Sequence, residues 1–440
     1  MTHDPARRLA LDVLVAVRER GAYANLLLPQ LLRDRRLPPR DRAFATELTY
    51  GALRAQGSLD VSLNRFIKRD VDPIVRDALR LGAYQLWRTR VPARAAVSTT
   101  VDLVRTAAPW AAGFSNAIMR RVAEAPEPPA PAYSQDPRGH LSIVHAHPRW
   151  IIDAFAASLG VHDDQAGLAE LGEALEADDT RPLVHLVARR LGRDELLESI
   201  RTSGGESAEP GRWSPRAIYL AGGDPGEFAA VRDGRAAVQD EGSQLVALVL
   251  AAAEATGDQV IDLASGPGGK AALLAAEGLR VVGLELHEPR AKLVASTGVP
   301  VVIGDGRQPP FAAASADKVL LDAPCSGLGA LRRRPEARWR RTAADLEPLA
   351  RLQEALLRQA LQLVRPGGVV AYSTCSPHRR ETVEVISRVA EHPPVAFEEI
   401  DVRPLLPADM PQLGDGPSVQ LWPHRHGTDA MFISLLRRTS

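Results

Sequence analysis

Apolar residues recur at helical spacing through the first quarter of the chain, and short continuous apolar runs replace them further on. Between residues 6 and 18, Leu9, Val13, Leu14 and Val17 fall on one face, which predicts an amphipathic helix. Further helices are predicted near residues 24–32, 39–56, 59–67, 73–88, 95–106 and 111–122. Because no strand alternation interrupts them, residues 1–125 are predicted to form a compact helical bundle.

A proline-rich break from Glu124 to Tyr133 separates this bundle from a second pattern. Beyond the break, helices are predicted at 151–159, 165–175 and 193–202, and strands at 182–189 and 217–220. Residues 140–235 are therefore predicted to form a small α+β subdomain. We find no catalytic constellation in this segment, and its histidines lack the spacing of metal ligands.

Residues 236–440 alternate between short apolar runs and helical patterns. Strands are predicted at 259–263, 281–286, 301–303, 318–322 and 369–374, with helices at 271–277 and 343–363. This alternation indicates a doubly wound parallel sheet, which binds ligands beyond the carboxyl ends of its strands. The chain is thus predicted to combine an all-α bundle, a small α+β subdomain and an α/β domain.

Reactive side chains follow two of these strands. Asp322 and Cys325 come directly after one strand, and Cys375, the only other cysteine, follows another. A glycine-rich loop follows the strand at 259–263 and consists of Ala264, Ser265, Gly266, Pro267, Gly268, Gly269 and Lys270. The backbone amides of such a loop approach a ligand closely at the amino terminus of a helix.

Acidic residues end the neighbouring strands. Glu285 stands where an acid binds ribose hydroxyls in related folds, and Asp305, after the third strand, could bind an adenine amino group. Arg290 either lines the same cleft or lies on the surface. Together with Asp322, these acids predict an adenosine-containing cofactor.

Charge and composition narrow the class of protein. The 440 residues have a formal net charge of zero, but residues 1–125 hold 21 Lys and Arg against 12 Asp and Glu. This basic excess suits a surface that faces phosphates, although a solvated helical surface would look similar. Two cysteines make no disulfide framework, and no apolar run approaches the roughly 20 residues of a membrane span. A reducing cytoplasm is the expected compartment.

These features resemble bacterial 16S rRNA cytosine-C5 methyltransferases of the RsmB (Fmu/Sun) family. The matching segments are Pro267–Lys270, Asp322–Gly327, Arg332–Trp339, Arg365–Gly368, Ser373–Pro377 and Leu421–Phe432. The bundle is similar to the NusB-like RNA-binding domain of that family. The chain departs from the usual motifs at six positions: Ala264 replaces Cys, Ser265 and Gly266 replace Ala-Ala, Ala271 replaces Thr, Glu285 replaces Asp, and Thr382, directly after Glu381, replaces Asn.

The resemblance implies a Rossmann-like class I methyltransferase domain at 236–440 that uses S-adenosylmethionine. It implies that Cys375 attacks carbon 6 of cytosine, that carbon 5 then accepts a methyl group, and that Cys325 assists proton removal and product release. Asp322 is expected to bind the N3/N4 edge of the base while lying close to the cofactor. The expected partner is small-subunit (16S) ribosomal RNA, and we expect a monomer without a metal or a membrane association.

Three alternatives remain open on the sequence. The dipeptide Pro324-Cys325 competes with Thr374-Cys375 as the nucleophile, because DNA cytosine methyltransferases attack with a Pro-Cys thiol. The same chemistry could act on transfer RNA. The chain could also be a NusB-like RNA-binding factor with an inert Rossmann domain, although both cysteines, Asp322 and the glycine loop speak against inertness.

Overall fold

The structure is a computed structural model that describes residues 4–127, 129–205 and 207–440. Its chain divides into two compact units, one ending at Thr180 but including Leu331–Arg341, and one comprising Arg181–Ala330 and Thr342–Ser440. Residues 140–235, predicted as one subdomain, are divided between the two units, and the three-domain division stays a prediction. Pro128 of the predicted linker and residues 1–3 of the predicted bundle lie outside the described residues.

The first unit is helical. Its helices are α1 (Pro5–Arg20), α2 (Ala24–Asp34), α3 (Pro39–Arg54), α4 (Gln56–Asn64), α5 (Pro73–Arg88), α6 (Ala93–Ala107), α7 (Ala112–Glu124), α8 (Pro137–Val144), α9 (Arg149–Leu159) and α10 (Gln165–Asp179). The predicted stripe of α1 is buried, and Asp4 caps this helix by accepting a hydrogen bond from the Arg7 amide. The all-α bundle predicted from hydrophobic periodicity is confirmed.

The segment Leu331–Arg341 adds a short helix to this unit and lies far away from it in sequence. The guanidinium of Arg338 is fully buried and donates to the Asp179 carboxylate at 2.9 Å and to the Asp178 carbonyl at 2.9 Å. The Trp339 indole donates to the Leu53 carbonyl at 3.2 Å. These bonds satisfy a charge that would be costly to bury alone, so the segment is held by specific contacts.

The second unit begins with a small antiparallel sheet. Its strands are β1 (Val184–Ala188), β2 (Glu209–Pro210), β3 (Ala217–Leu220) and β4 (Ala236–Val238), in the order β2-β3-β1-β4. Helices α11 (Arg193–Thr202) and α12 (Ala229–Arg232) accompany them, and α13 (Glu241–Ala252) leads into the larger sheet.

The larger sheet has eight strands, in the order β10-β12-β9-β8-β5-β6-β7 with β11 added beside β12. The strands are β5 (Gln259–Asp262), β6 (Arg280–Glu285), β7 (Val301–Ile303), β8 (Ala316–Asp322), β9 (Val364–Thr374), β10 (Phe397–Ile400), β11 (Val419–Gln420) and β12 (Phe432–Arg438). The helices are α14 (Gly269–Ala276), α15 (Glu288–Ser296), α16 (Ala337–Arg340, in the first unit), α17 (Leu346–Leu363), α18 (Val383–Glu391) and α19 (Pro423–His426).

Strands β5 to β9 are parallel, whereas β12 runs antiparallel to β9 and β10 runs antiparallel to β12. The predicted doubly wound parallel sheet is confirmed for β5 to β9, and the antiparallel strands β12 and β10 extend it into a mixed sheet that the sequence reading did not include. Alternate residues of the central strands enter different cores, since Leu320 packs in the cluster with α13 and α14 and Leu321 in the cluster with α17. Burial on both faces explains the continuous apolar runs in the sequence.

No helix within the described ranges is both long and apolar enough to cross a membrane.

Candidate active site

The two cysteines are brought together by neighbouring parallel strands. In β8 and β9, Asp322 stands beside Ser373, so both strands end at the same level of the sheet. The Ala323 amide still donates to the Ser373 carbonyl at 2.8 Å, after which the two loops diverge. The Sγ atoms of Cys325 and Cys375 lie 3.4 Å apart, and both residues are half-buried. The structure thus places two free thiols in contact at the carboxyl edge of the sheet.

The surroundings of Cys325 disfavour its ionised form. The hydrogen bond to Cys375 raises the pKa of the Cys325 thiol well above its ordinary value, and burial and the Cys375, Glu381 and Asp322 charges act in the same direction. Either sulfur can donate in the contact between the two thiols. While Cys375 lies beside it, Cys325 therefore gives up its proton less readily than an ordinary thiol.

Lys270 and two aspartates form the charged floor of the site. The Lys270 Nζ lies 2.5 Å from Asp322 Oδ2, and the Ser373 hydroxyl donates to Asp322 Oδ1 at 3.1 Å. Burial acts to lower the pKa of Lys270, but attraction to Asp322, Cys375 and Asp262 raises it overall. Lys270 is therefore a buried ammonium held by its acidic neighbours.

Asp262 differs from Asp322 because it is fully buried. Burial, followed by repulsion from Asp322, raises the pKa of Asp262 to about 7. Its Oδ1 atom finds no hydrogen-bond partner among the described residues. A buried carboxyl oxygen without a partner is costly, which marks this position as one where a ligand group could bind.

The glycine-rich loop joins β5 to α14 as the sequence predicts. Gly266 and Gly268 adopt positive φ angles of 57° and 87°. The Gly266 amide donates to Glu285 Oε2 at 3.0 Å, so the acid that ends β6 holds the loop directly. Glu285 Oε1 accepts from the His287 amide at 3.0 Å. Loop and acid thus form one cradle at the ends of β5 and β6.

Asp305 and Arg290, the other two residues predicted to bind the cofactor, are not bonded to the cradle of the glycine loop and Glu285. Asp305 follows β7 as expected, but its carboxylate pairs with the Arg307 guanidinium at 2.6 Å, which holds the pKa of Asp305 below its ordinary value. Arg290 is exposed on α15. Among the described residues, the side chains of Asp305 and Arg290 form no hydrogen bond with the glycine loop or Glu285, and their assignment to the cofactor stays a prediction.

Sequence reasoning missed Glu381, which is fully buried behind the two thiols. Its carboxylate accepts hydrogen bonds from the Ser326 amide at 2.7 Å, the Ser326 hydroxyl at 2.5 Å and the Ser376 hydroxyl at 2.6 Å. The Gln353 side-chain amide adds a fourth bond at 3.1 Å. The signal in the sequence was the pair Glu381-Thr382, which stands where the resembling family often has Glu-Asn after Ser373–Pro377, but no role was assigned to this acid.

Within the described part of the chain, no group of three or more His, Cys, Asp and Glu side chains is arranged to hold a metal ion. The arrangement as a whole offers a thiol nucleophile, a second thiol, an acid paired to a buried ammonium and a glycine-rich cradle. Such a set is suited to covalent catalysis on an electron-poor ring.

Comparison with known proteins gives two family matches. Residues 247–437 match the family model described as 16S rRNA methyltransferase RsmB/F, and residues 4–124 match the NusB family. The chain is 52% identical over 460 residues to a putative methyltransferase of Mycobacterium tuberculosis, covering 99% of this chain and 97% of the relative. It is 34% identical over 445 residues to ribosomal RNA small subunit methyltransferase B of Thermus thermophilus, covering 99% and 98%.

The fold has a similar solved counterpart. The crystal structure of PH0851 aligns with a TM-score of 0.84 at 22% identity and covers 99% of both chains. At this level of identity, the likeness concerns the fold.

Proposed function

The chain belongs to the RsmB/F methyltransferase family and carries a NusB-family domain at its amino terminus, and from this premise we propose that it methylates carbon 5 of a cytidine in small-subunit (16S) ribosomal RNA through a covalent cysteine–C6 intermediate. The observation that carries the proposal is the 3.4 Å contact between the Cys325 and Cys375 sulfurs at the ends of adjacent parallel strands. Two thiols in contact serve a reaction in which one bonds to the substrate and the other assists its release.

The family depends on S-adenosylmethionine, and the cradle fits such a group. The unpartnered Asp262 oxygen and the positive φ angles of the glycine loop leave polar atoms and open backbone beside the strand ends. We propose that Ala264–Lys270, Glu285, Asp322 and Asp305, with Arg290 at the rim, hold the cofactor. When bound, it supplies a methyl group on a positively charged sulfur.

Cys375 is proposed as the nucleophile. Its thiolate forms a bond to carbon 6 of the base, and the π electrons between carbons 5 and 6 shift through carbon 4 toward N3. N3 takes up a proton from water and returns it when the product is released. The ring becomes enamine-like, so carbon 5 becomes nucleophilic. Attraction between the Lys270 ammonium and the Cys375 sulfur supports this step, because the same attraction stabilises a thiolate.

Asp322 is proposed to orient the base. Its carboxylate accepts hydrogen bonds from the N4 amino group and from the protonated N3, and the bond to Lys270 fixes its direction. A base has to leave its stack in the RNA to enter this site, because the site lies at the edge of a sheet and binds a single base ring.

Cys325 is proposed to complete the cycle. Once carbon 5 carries its methyl group, the Cys325 thiolate removes the remaining carbon 5 proton, the double bond re-forms and the bond between Cys375 and carbon 6 breaks. The hydrogen bond and the charge of Cys375 both raise the Cys325 pKa in the free enzyme. Bonding of Cys375 to carbon 6 removes both causes, so Cys325 loses its proton more readily at the stage where a base is needed.

The two cysteine variants should behave in opposite ways. C375A is expected to form no adduct with 16S RNA, because no thiolate adds to carbon 6. C325A is expected to methylate and then remain bonded to the RNA, because elimination fails. Denaturing gels with labelled RNA measure the retarded, thiol-linked band, and methyl transfer from labelled cofactor measures the chemistry.

The control for these variants is wild-type protein, which should transfer methyl groups without accumulating the band. A band that forms with C375A and vanishes with C325A would reverse the two roles. Parallel assays with transfer RNA show which RNA class is the substrate. Absence of methyl transfer to any RNA by wild-type protein would contradict the proposal and favour an RNA-binding role.

A further inference from the structure

A single buried carboxylate connects the two loops that carry the thiols. Ser326 and Ser376 directly follow Cys325 and Cys375, and the hydroxyls of both serines donate to Oε2 of Glu381 at 2.5 and 2.6 Å. The two hydroxyl oxygens lie 3.2 Å from each other. Glu381 is 0% exposed, so its contacts are not shared with water.

The other oxygen of Glu381 fixes the first loop from behind. Oε1 accepts from the Ser326 amide at 2.7 Å and from Gln353 Nε2 at 3.1 Å. The same Gln353 nitrogen donates to the Pro324 carbonyl at 2.9 Å, so α17 and Glu381 hold this turn together. Charge-assisted hydrogen bonds to a buried carboxylate are among the stronger ones in proteins, and four of them converge here.

A backbone hydrogen bond also joins the two loops. The Gly329 amide donates to the Cys375 carbonyl at 2.9 Å, which joins the backbones but does not reach either serine. Glu381 alone among the described side chains accepts from the residue after each cysteine. Its removal would leave the Ser326 amide and both hydroxyls buried without their acceptor.

We propose that Glu381 is a positioning residue. It fixes where the Cys325 sulfur lies relative to the Cys375 sulfur and thereby controls the release step of the reaction. The inference rests on the proposed function for the identity of that step. Attack requires one thiol, whereas elimination requires Cys325 to reach a proton on a ring already bonded to Cys375. A displacement of a reacting group by about 1 Å can lower a rate by up to about 100-fold. Elimination should be slowed more than attack, because elimination needs both sulfurs in place.

The first test asks, without RNA, whether the two thiols are held close enough to bind one arsenic atom. Phenylarsine oxide bridges two neighbouring thiols, since two As–S bonds form and the arsenic oxygen leaves as water with both thiol protons. Calorimetry with the full chain should show about tenfold weaker binding to E381A than to wild type. C325A, which has one thiol at the site, gives the reference for binding without a bridge.

The conservative variant E381Q separates hydrogen bonding from charge. Its amide keeps one oxygen for the Ser326 amide and Gln353, while its NH2 group donates to the serine hydroxyls, which can reverse and accept. E381Q should therefore bind the arsenical nearly as wild type does. A loss in E381Q equal to that in E381A would overturn positioning through hydrogen bonds.

The second test follows the reaction. E381A should accumulate the covalent RNA band that C325A shows. Its kcat and its KM should both fall by about tenfold while kcat/KM stays close to that of wild type, because elimination is slowed after methyl transfer and the earlier steps are not. The matched control is E384A, whose carboxylate lies 3.7 Å from the Arg388 guanidinium on α18. E384A should release its product normally.

Folding is checked by circular dichroism and thermal unfolding. If E381A does not fold, the double variant S326A/S376A removes both hydroxyl donors and should still weaken arsenical binding. Wild-type affinity in a folded E381A or in S326A/S376A would overturn the role of Glu381. Failure of wild-type protein to methylate RNA would instead count against the proposed function, because arsenical binding does not depend on RNA.

Discussion

At the scale of single residues, the site is organised by three ionisable groups with unequal burial. Asp322 is open enough to meet a base, Lys270 is held between the acids, and Asp262 is enclosed in the protein. Burial and the Asp322 charge raise the pKa of Asp262 to about 7, so this group changes charge close to physiological pH. The consequence is a dependence of stability on pH that arises from one side chain.

The sign of that dependence follows from proton binding. Folded protein keeps a proton on Asp262 up to about pH 7, whereas the unfolded chain loses it near the ordinary aspartate pKa, so stability falls as pH rises between these values. D262N removes the ionisable group and should not lose this stability. The free energy of unfolding of D262N minus that of wild type should therefore rise by up to about 3 kcal/mol between pH 5 and pH 8. Urea unfolding at both pH values measures this difference.

The control is D258N, because Asp258 is exposed and a hydrogen bond from Arg280 lowers its pKa. Asp258 is ionised at both pH values, so D258N should show the pH dependence of wild type. Equal behaviour of D262N and D258N would contradict a titrating Asp262.

At the scale of elements, the sequence predicted what local patterns encode. Strands β5 to β9 are parallel, all but β7 are mostly buried, and their apolar runs gave their positions and the level of the site. Helix α15 was missed because it buries only Ala291 and Val294, which makes a weak helical stripe. The antiparallel pairing of β12 with β9 was missed because strand direction depends on contacts about 60 residues apart in the chain.

The difference between local patterns and contacts between distant segments also explains which site residues the sequence indicated. Cys325, Cys375 and Asp322 stand beside recognisable strand ends, so sequence position placed them together. The role of Glu381 was missed because its partners come from three separate segments, and a motif position alone does not show that an acid is buried. Contacts between distant segments decide such a position.

The glycine loop offers a prediction for the packing of elements. Gly268 has a φ of 87°, and a Cβ there would lie 3.0 Å from the Val294 Cα atom of α15. Gly278 has a φ of 89° but nothing within 4 Å of such a Cβ. G278A should lose about 1 kcal/mol from backbone strain alone, and G268A should lose clearly more because α15 has to shift.

Thermal and urea unfolding of both variants measures the difference. G268A should also weaken cofactor binding in calorimetry, since α14 begins at Gly269 and the cradle moves with α15. Equal losses in the two variants would show that α15 does not restrain the loop.

At the scale of the whole molecule, charge is separated along the chain while the net charge is zero. In the helical unit, Arg65 and Arg121 both stack on the Phe66 ring, and Arg69 stacks on Phe114. Arg65, Arg69 and Arg121 are exposed and form no ion pair with a described residue. They are therefore available to phosphates and bases of an RNA partner.

Reversal of these three charges tests the RNA contact. The triple variant R65E/R69E/R121E should bind 16S RNA more weakly, and the slope of log affinity against log salt should fall by roughly two to three. Filter binding of the full chain at several salt concentrations measures both quantities.

The control is R280E/R307E/R403E, in which each arginine pairs with an aspartate of the second unit. This variant changes net charge equally and should leave the slope close to that of wild type. Identical slopes for the two triple variants would remove the arginines of the helical unit from the RNA contact.

The segment Leu331–Arg341 limits where the chain can be divided into separate fragments. The chain leaves the second unit six residues after Cys325, adds Arg338 and Trp339 to the first unit, and returns. A fragment that begins after Thr180 would remove the acceptors that Arg338 has among the described residues, which are the Arg54, His145 and Asp178 carbonyls and the Asp179 carboxylate. Cutting the chain at Thr180 therefore does not separate the two units cleanly, because the eleven residues Leu331–Arg341 belong to the first unit and would stay attached to the second.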